Sequence, residues 1–305
     1  MAEDFPRTLM ELERRFSEES ACRAYLAALR WPEGFVCPKC QGRESWLVRR
    51  EKWRCLACNR EVSVMTGTVF QDSKLPLTVW FRAMWQVTSQ KNGVSALGLQ
   101  RVLGLGSYKT AWTVLHKLRR AMVRPGRERL HGLVEVDEAY WGGEEADVHG
   151  RQTYDKALIA VAAEADGAGI GRIRLRHIPD TNRGTLHGFI AEVIEPGSTV
   201  QTDGLQAYRE LQGYVHDRQI QKRQPADTAH LLPRAHRVIS LLKRWLLGTH
   251  QGAVALEYLQ DYLDEFTFRF NRRASASRGK LFYRLAQQAV QVAPTTYDAL
   301  GKHNL

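Results

Sequence analysis

The amino-acid sequence predicts an α/β fold, with strands and helices layered in the C-terminal half behind a cysteine-bearing region and a helical one. The first observation is a change of period. LVEVDEAYW (133–141), ALIAVAAEA (157–165) and IGRIRLRHI (170–178) read as consecutive strands, Arg183 to Val193 as a helix, and STVQTD as a strand ending at Asp203. Strands, helix and strand in that order build a sheet-and-helix layer domain. The second observation is a pair of tight cysteine doublets upstream, and the third is helical spacing of apolar residues from 75 to 123.

The charge is unbalanced: 44 Lys and Arg stand against 33 Asp and Glu, a formal +11. An excess of this size favours polyanionic partners, nucleic acid first among them, although solubility alone would also be served. No apolar run reaches the roughly 18–20 residues that span a bilayer. The start, MAEDFPRTLMELERR, lacks the apolar core of a signal peptide. A cytoplasmic, nucleoid-associated protein with no membrane partner is therefore expected.

Residues 1–30 carry Leu9, Leu12, Phe16, Tyr25, Leu26 and Leu29 at helical spacing, ahead of the interruption at Trp31-Pro32. Cys22 lies alone here and reads as a packing residue. Over 31–70, Cys37 and Cys40 form one CxxC and Cys55 and Cys58 another, with fourteen residues between. Four thiolates so spaced can surround Zn²⁺ tetrahedrally, as in a zinc ribbon. An odd cysteine count without an export signal argues against disulfides. A region this small could scarcely bury a core without the metal. The ribbon is either purely structural or also touches DNA through Arg49, Arg50, Lys52 and Arg54.

Residues 71–130 read as a buried helix over Leu77 to Val87, then helix, Gly-rich turn, helix, then a basic linker. This helix-turn-helix outline would cap its second helix with Ser107 and offer Ser107, Tyr108, Lys109 and Thr110 to a major groove. Helical hairpins with no DNA role share the outline. The layer domain occupies 131–275, with helical pattern again over 235–273, a GTHQG break within it, and a helix starting at GLQAYREL. Residues 276–305 are set apart as a C-terminal tail.

Val134 and Val136 alternate with Glu135 and Asp137, which places Asp137 near a strand's end before a Tyr-Trp-Gly-Gly turn. Asp137 either caps that turn or holds a cation. Asp203 ends a second strand 66 residues on, so only a sheet could join the two. Adjacent carboxylates repel unless a cation neutralises them, and Mg²⁺ is the usual one in phosphoryl transfer. Glu135 shares the Asp137 face while Glu138 points the other way; both read as supporting or solvated. Trp141 either shapes the turn or packs.

The order CPKC…CLAC, LVEVDEAYWGG, VQTDG, LLKRWLLGTHQG…YLDEFTFRFNRR resembles the zinc-ribbon DDE transposases of bacterial insertion sequences, the ISXO type of the IS-fifteen-ninety-five family. The resemblance implies a ribonuclease H-like catalytic core using Mg²⁺ or Mn²⁺. It implies strand cleavage and transfer on inverted-repeat ends and target DNA, by a homo-oligomer assembled on DNA. Asp137 and Asp203 match the first two catalytic positions. Relatives usually place Glu or Asn a few residues ahead of a Leu-Lys-Arg run. Alignment on Leu241 to Arg244 puts His236 there, a departure, and suggests Lys243 as a fourth member. Seven residues return to within about 20° of one helix face, so His236 and Lys243 can face the aspartates together.

An imidazole ligates Mn²⁺ adequately and Mg²⁺ less readily. His236 could instead hold an attacking water or the scissile phosphate, or be an ordinary helix histidine. Two other functions compete with a transposase. One is a zinc-ribbon DNA-binding protein with a degenerate core, His236 being the lesion. The other is a nuclease of the same core without element specificity.

Overall fold

The structure is a computed structural model and describes residues 3–49, 51–124, 126–142, 156–219 and 231–300. Arg50, Gly143 and His230 lie outside the described residues. Two compact units emerge, one from residues 1–124 with 274–300, the other from 125–273.

In the first unit, α1 (Leu9–Arg15) starts at Thr8, whose hydroxyl accepts the Glu11 N–H, and α2 (Glu19–Arg30) ends at Trp31. The strands β1 (Ser45–Val48), β2 (Lys52–Cys55) and β3 (Glu61–Val62) form an antiparallel ribbon. Helix α3 (Leu77–Ser89) buries Trp80, Phe81 and Met84. Helices α4 (Ala96–Leu103) and α5 (Tyr108–Ala121) follow, separated by Gly104 at φ 62°. Ser95 and Ser107 cap them.

Residues 276–305 contain α9 (Arg278–Ala289), whose Phe282 packs against Phe81 at 5.5 Å and Phe16 at 6.2 Å. Gly279 is required there, because a Cβ would fall 1.7 Å from the Pro6 carbonyl oxygen.

The second unit is a five-stranded mixed sheet. Its strands are β4 (Leu133–Trp141), β5 (Ala157–Asp166), β6 (Gly169–Ile178), β7 (Thr199–Thr202) and β8 (Val215–Arg218), in the order β6-β5-β4-β7-β8. β5 runs antiparallel to both neighbours, while β7 and β8 run parallel to β4. A mixed sheet with helices is what the sequence and the resemblance lead one to expect.

Alternation along β4 divides the core. Val134 and Val136 pack with Ile190 and Phe189 of α6 (Arg183–Val193), capped by Asn182. Ala139 and Trp141 pack on the opposite face with Val238 and Leu242 of α7 (Pro233–His250) and with α8 (Leu259–Phe270). The outer edge of β6 is closed by side chains. Asn271 accepts the Ile173 N–H at 2.7 Å and donates to its carbonyl, and Gln260 accepts the His177 N–H. An edge so occupied cannot recruit another strand.

The structure corrects the sequence reading in four places. Asp137 is not near the end of its strand, because β4 continues through Tyr140 and Trp141. GLQAYREL does not begin a helix: a single 3-10 turn over Gln206–Tyr208 stands there, with Glu210 at φ 61°. β8, only four residues long with Val215 exposed, gives no apolar run that periodicity could detect. α7 passes through Gly248 and stops at Gln251, which is left-handed at φ 52°.

Candidate active site

The β4–β7 ladder pairs Leu133 with Thr199, Val134 with Val200 and Glu135 with Gln201, then ends. Two residues further along each chain stand Asp137 and Asp203, at matching offsets. Asp137 is therefore mid-strand toward β5 but beyond the last β7 pairing on its other edge. The register, continued past its last pair, would set the two acids side by side, and the charges of both reach the Tyr208 hydroxyl.

Each carboxylate is locally tethered. Asp203 Oδ1 accepts the Leu205 N–H at 2.9 Å, and Asp137 Oδ1 accepts the Glu138 N–H at 2.9 Å. Asp137 Oδ2 lies 3.1 Å from His236 Nε2, in the first turn of α7. A carboxylate can only accept at that distance, so the contact is a hydrogen bond when Nε2 carries a proton. With the proton on Nδ1 instead, a lone pair would meet the same space, which suits a cation.

The buried ring of Tyr208 comes from beneath, and its hydroxyl donates to Glu138. Burial first, then the charges of Glu138, Asp137 and Asp203, hold this phenol well above its usual range. One hydroxyl thus senses all three acids. Sequence reasoning passed over Tyr208; its signal was a lone aromatic five residues after Asp203.

Glu135, on β4, is buried against the first turn of α7 and accepts from Arg234 and Ala235. Lys243 is exposed two turns down α7, about 10 Å along the axis from His236 at 1.5 Å per residue. Among the described residues it makes no hydrogen bond or ion pair with the aspartates. Asp264 and Glu265 stay in α8, bonded to Gln260 and Arg269.

The cysteines converge separately. The sulfurs of Cys37, Cys40, Cys55 and Cys58 all lie within 4.8 Å of one another, Cys37–Cys58 at 3.7 Å and Cys40–Cys55 at 3.5 Å. Tetrahedral Zn–S bonds of about 2.3 Å require sulfurs about 3.8 Å apart, so the set fits zinc. The knuckles are built alike. Gln41 and Asn59, each following a second cysteine, are left-handed, and their N–H groups bond back to the carbonyls of Cys37 and Cys55. All five cysteines are free of disulfides, and Cys22 is buried, its thiol pushed up to about 12 by that burial.

Of the candidate DNA contacts, Tyr108 is exposed, Ser107 is engaged as the cap of α5, and Lys109 Nζ sits 3.8 Å over the Tyr297 ring. Lys52 and Arg54 both face Glu61, at 3.8 and 2.6 Å.

Residues 129–271 match the ISXO2-like transposase domain, and residues 17–61 match the transposase zinc-ribbon domain. The chain belongs to the zinc-ribbon, DDE-type transposases of insertion sequences. A protein of Halobacterium salinarum, described as an uncharacterized protein in transposable element ISH50, is 28% identical over 84% of this chain and 92% of its own length. Both transposase modules thus fall on the two features built above, the cysteine tetrad and the sheet carrying Asp137 and Asp203. DNA is the partner that such domains imply. No helix among the described residues of the transposase is long and apolar enough to cross a membrane.

Proposed function

We propose that this transposase binds the terminal inverted repeats of its insertion sequence and cuts and transfers their strands at Asp137, Asp203 and His236. The observation that supports the reading is the His236 ring 3.1 Å from Asp137, with Asp203 two residues beyond the last β7 residue paired to β4, as Asp137 is on β4. In cleavage, a water oxygen bonds to the scissile phosphorus while the bond to the departing 3′ oxygen breaks. In transfer, that freed 3′ hydroxyl attacks a target phosphodiester and a target 3′ oxygen leaves.

Asp137 and Asp203 would hold Mg²⁺ or Mn²⁺, which neutralises paired carboxylates and stabilises charge on the entering and leaving oxygens. The donor set suits such an ion by its chemistry, two carboxylates and an imidazole. The imidazole nitrogen of His236 suits Mn²⁺ better than Mg²⁺, and one negative charge fewer than Glu would weaken the hold on either ion. His236 either joins the cation or orients the attacking water. Arg237, Lys243 and Arg244, exposed along α7, would take backbone phosphates as point charges. The zinc ribbon and the α4–α5 pair, with Tyr108 outward, would read the ends. A homo-oligomer would join two ends.

The test uses purified protein, Mn²⁺ and a labelled duplex carrying the DNA that borders the coding region. Nicking at the repeat terminus, abolished by Asp137→Asn with binding retained, is the expected result. Binding without nicking would instead favour a degenerate core, and cutting at random sequence a nuclease.

A further inference from the structure

We infer that Glu135 is a positioning residue: from strand β4 it caps helix α7, and so sets His236 opposite Asp137. The start of α7 lacks a cap of its own. Leu232 occupies the N-cap position with no side-chain hydrogen bond, and Pro233 follows with no N–H to satisfy. The next two N–H groups, of Arg234 and Ala235, both donate to Glu135 Oε2, at 2.7 and 2.9 Å. The His236 N–H then makes the first bond of the helical ladder, to the Leu232 carbonyl at 3.0 Å. The strand carboxylate therefore does what a Ser or Asp at the N-cap ordinarily does.

A cap supplied from another element does more than stabilise the helix. A local cap leaves a helix free to move as a body, whereas Glu135 fixes the helix end to the strand bearing Asp137. Glu135 and Asp137 lie two residues apart on one face of β4, and His236 follows one residue after the capped N–H of Ala235. Arg234 closes the arrangement. Its Nη1 donates to Glu135 Oε1 at 2.9 Å, while Nε and Nη2 donate to the carbonyls of Gly169 and Gly167 in the β5–β6 turn, at 3.0 and 2.9 Å.

The Glu135 side chain is only 1% exposed. A carboxylate buried so deeply is costly unless paired and hydrogen-bonded; here the helix terminus, with its partial positive charge, and Arg234 provide both.

The experiment has two arms, the first resting on the proposed activity and the second independent of it. In the first, nicking is measured for E135A, E135Q and E135D, alone and combined with H236A. Loss of a group that orients a site residue typically lowers activity about 10–100-fold, which is the expectation for E135A. E135Q retains a carbonyl acceptor for both N–H groups and keeps most activity. In the H236A background, E135A costs less than about threefold more, because contacting residues do not act additively. An equal loss in both backgrounds would make Glu135 merely structural.

In the second arm, the ring-nitrogen NMR signals of His236, assigned by their loss in H236A, are followed without metal at one pH. E135A moves them to the position seen in D137N, and E135Q leaves them in place. Unmoved signals in E135A would overturn the inference. If E135A does not fold, E135D carries both readouts, since it keeps the charge and withdraws it by one methylene. Should the wild-type chain not nick DNA, the proposed activity fails while the NMR arm still decides the role of Glu135.

Discussion

The Tyr208 hydroxyl donates to the Glu138 carboxylate, joining the turn after β7 to the strand that carries Asp137. The link ties the short turn that Asp203 opens, by accepting the Leu205 N–H, to the strand bearing Asp137. Tyr208→Phe keeps the ring in the core and removes the donor. The expected loss is about 1–3 kcal/mol, as for hydrogen bonds to charged groups, measured by urea unfolding. Because burial and Glu138 raise the folded-state phenol pKa, this stabilisation is full at neutral pH and disappears above the usual phenol range. A wild-type and Tyr208→Phe difference that persists unchanged at strongly alkaline pH would contradict the assignment.

His236→Glu should add an acid to the site. It places a second carboxylate beside Asp137, so the metal-free variant loses about 1–4 kcal/mol by like-charge repulsion at partly exposed positions. Mg²⁺ then raises its melting temperature more than that of the wild type. Nicking, if present, shifts its preference from Mn²⁺ toward Mg²⁺. An identical response of both proteins to the two ions would remove His236 from the cation's surroundings.

Zinc should account for the ribbon's stability. Its apolar core amounts to Phe35, Val62 and two of the ligands, with Trp31 and Trp53 packed at 4.9 Å. Structural zinc sites contribute about 10 kcal/mol or more to folding at neutral pH. Metal analysis should find zinc lost in Cys37→Ser and retained in Cys22→Ser, and chelation should change the fluorescence of the Trp31–Trp53 pair. Full zinc in Cys37→Ser would rule out the tetrad.

What could be read from the sequence followed from local pattern. The CxxC doublets, the Ser107 cap and the β4-β5-β6 series are each written in contiguous residues, and the structure has them where spacing places them. Relations across the chain were not legible. Glu135 reads as either supporting or solvated, because nothing in its neighbourhood announces a helix terminus 99 residues later. Asp137 looked terminal because its strand's continuation is paired only with β5. β8 escaped because four half-exposed residues carry no period, and Tyr208 because its partner lies 70 residues upstream.

Acid should weaken the sheet through Glu164. Burial alone would raise this carboxyl, but Arg172 and the N–H groups of His131 and Arg172 hold it down to about 2 from the usual 4.5. Oε1 accepts from Arg172 Nη2 at 2.9 Å and His131 N at 3.1 Å, while Oε2 accepts from Arg172 Nε at 3.0 Å and Arg172 N at 3.1 Å. A folded-state pKa below the unfolded one means that the unfolded chain binds more protons between the two values. Stability from this group is therefore complete above 4.5 and is lost progressively as pH falls toward 2. Glu164→Gln removes the titration while keeping the shape. Urea midpoints of the two proteins should differ at pH 7 and draw together as pH falls from 4.5 toward 2, with wild type the more stable at neutral pH. A difference that grows on acidification would have the wrong sign and exclude the Arg172 pairing as its source.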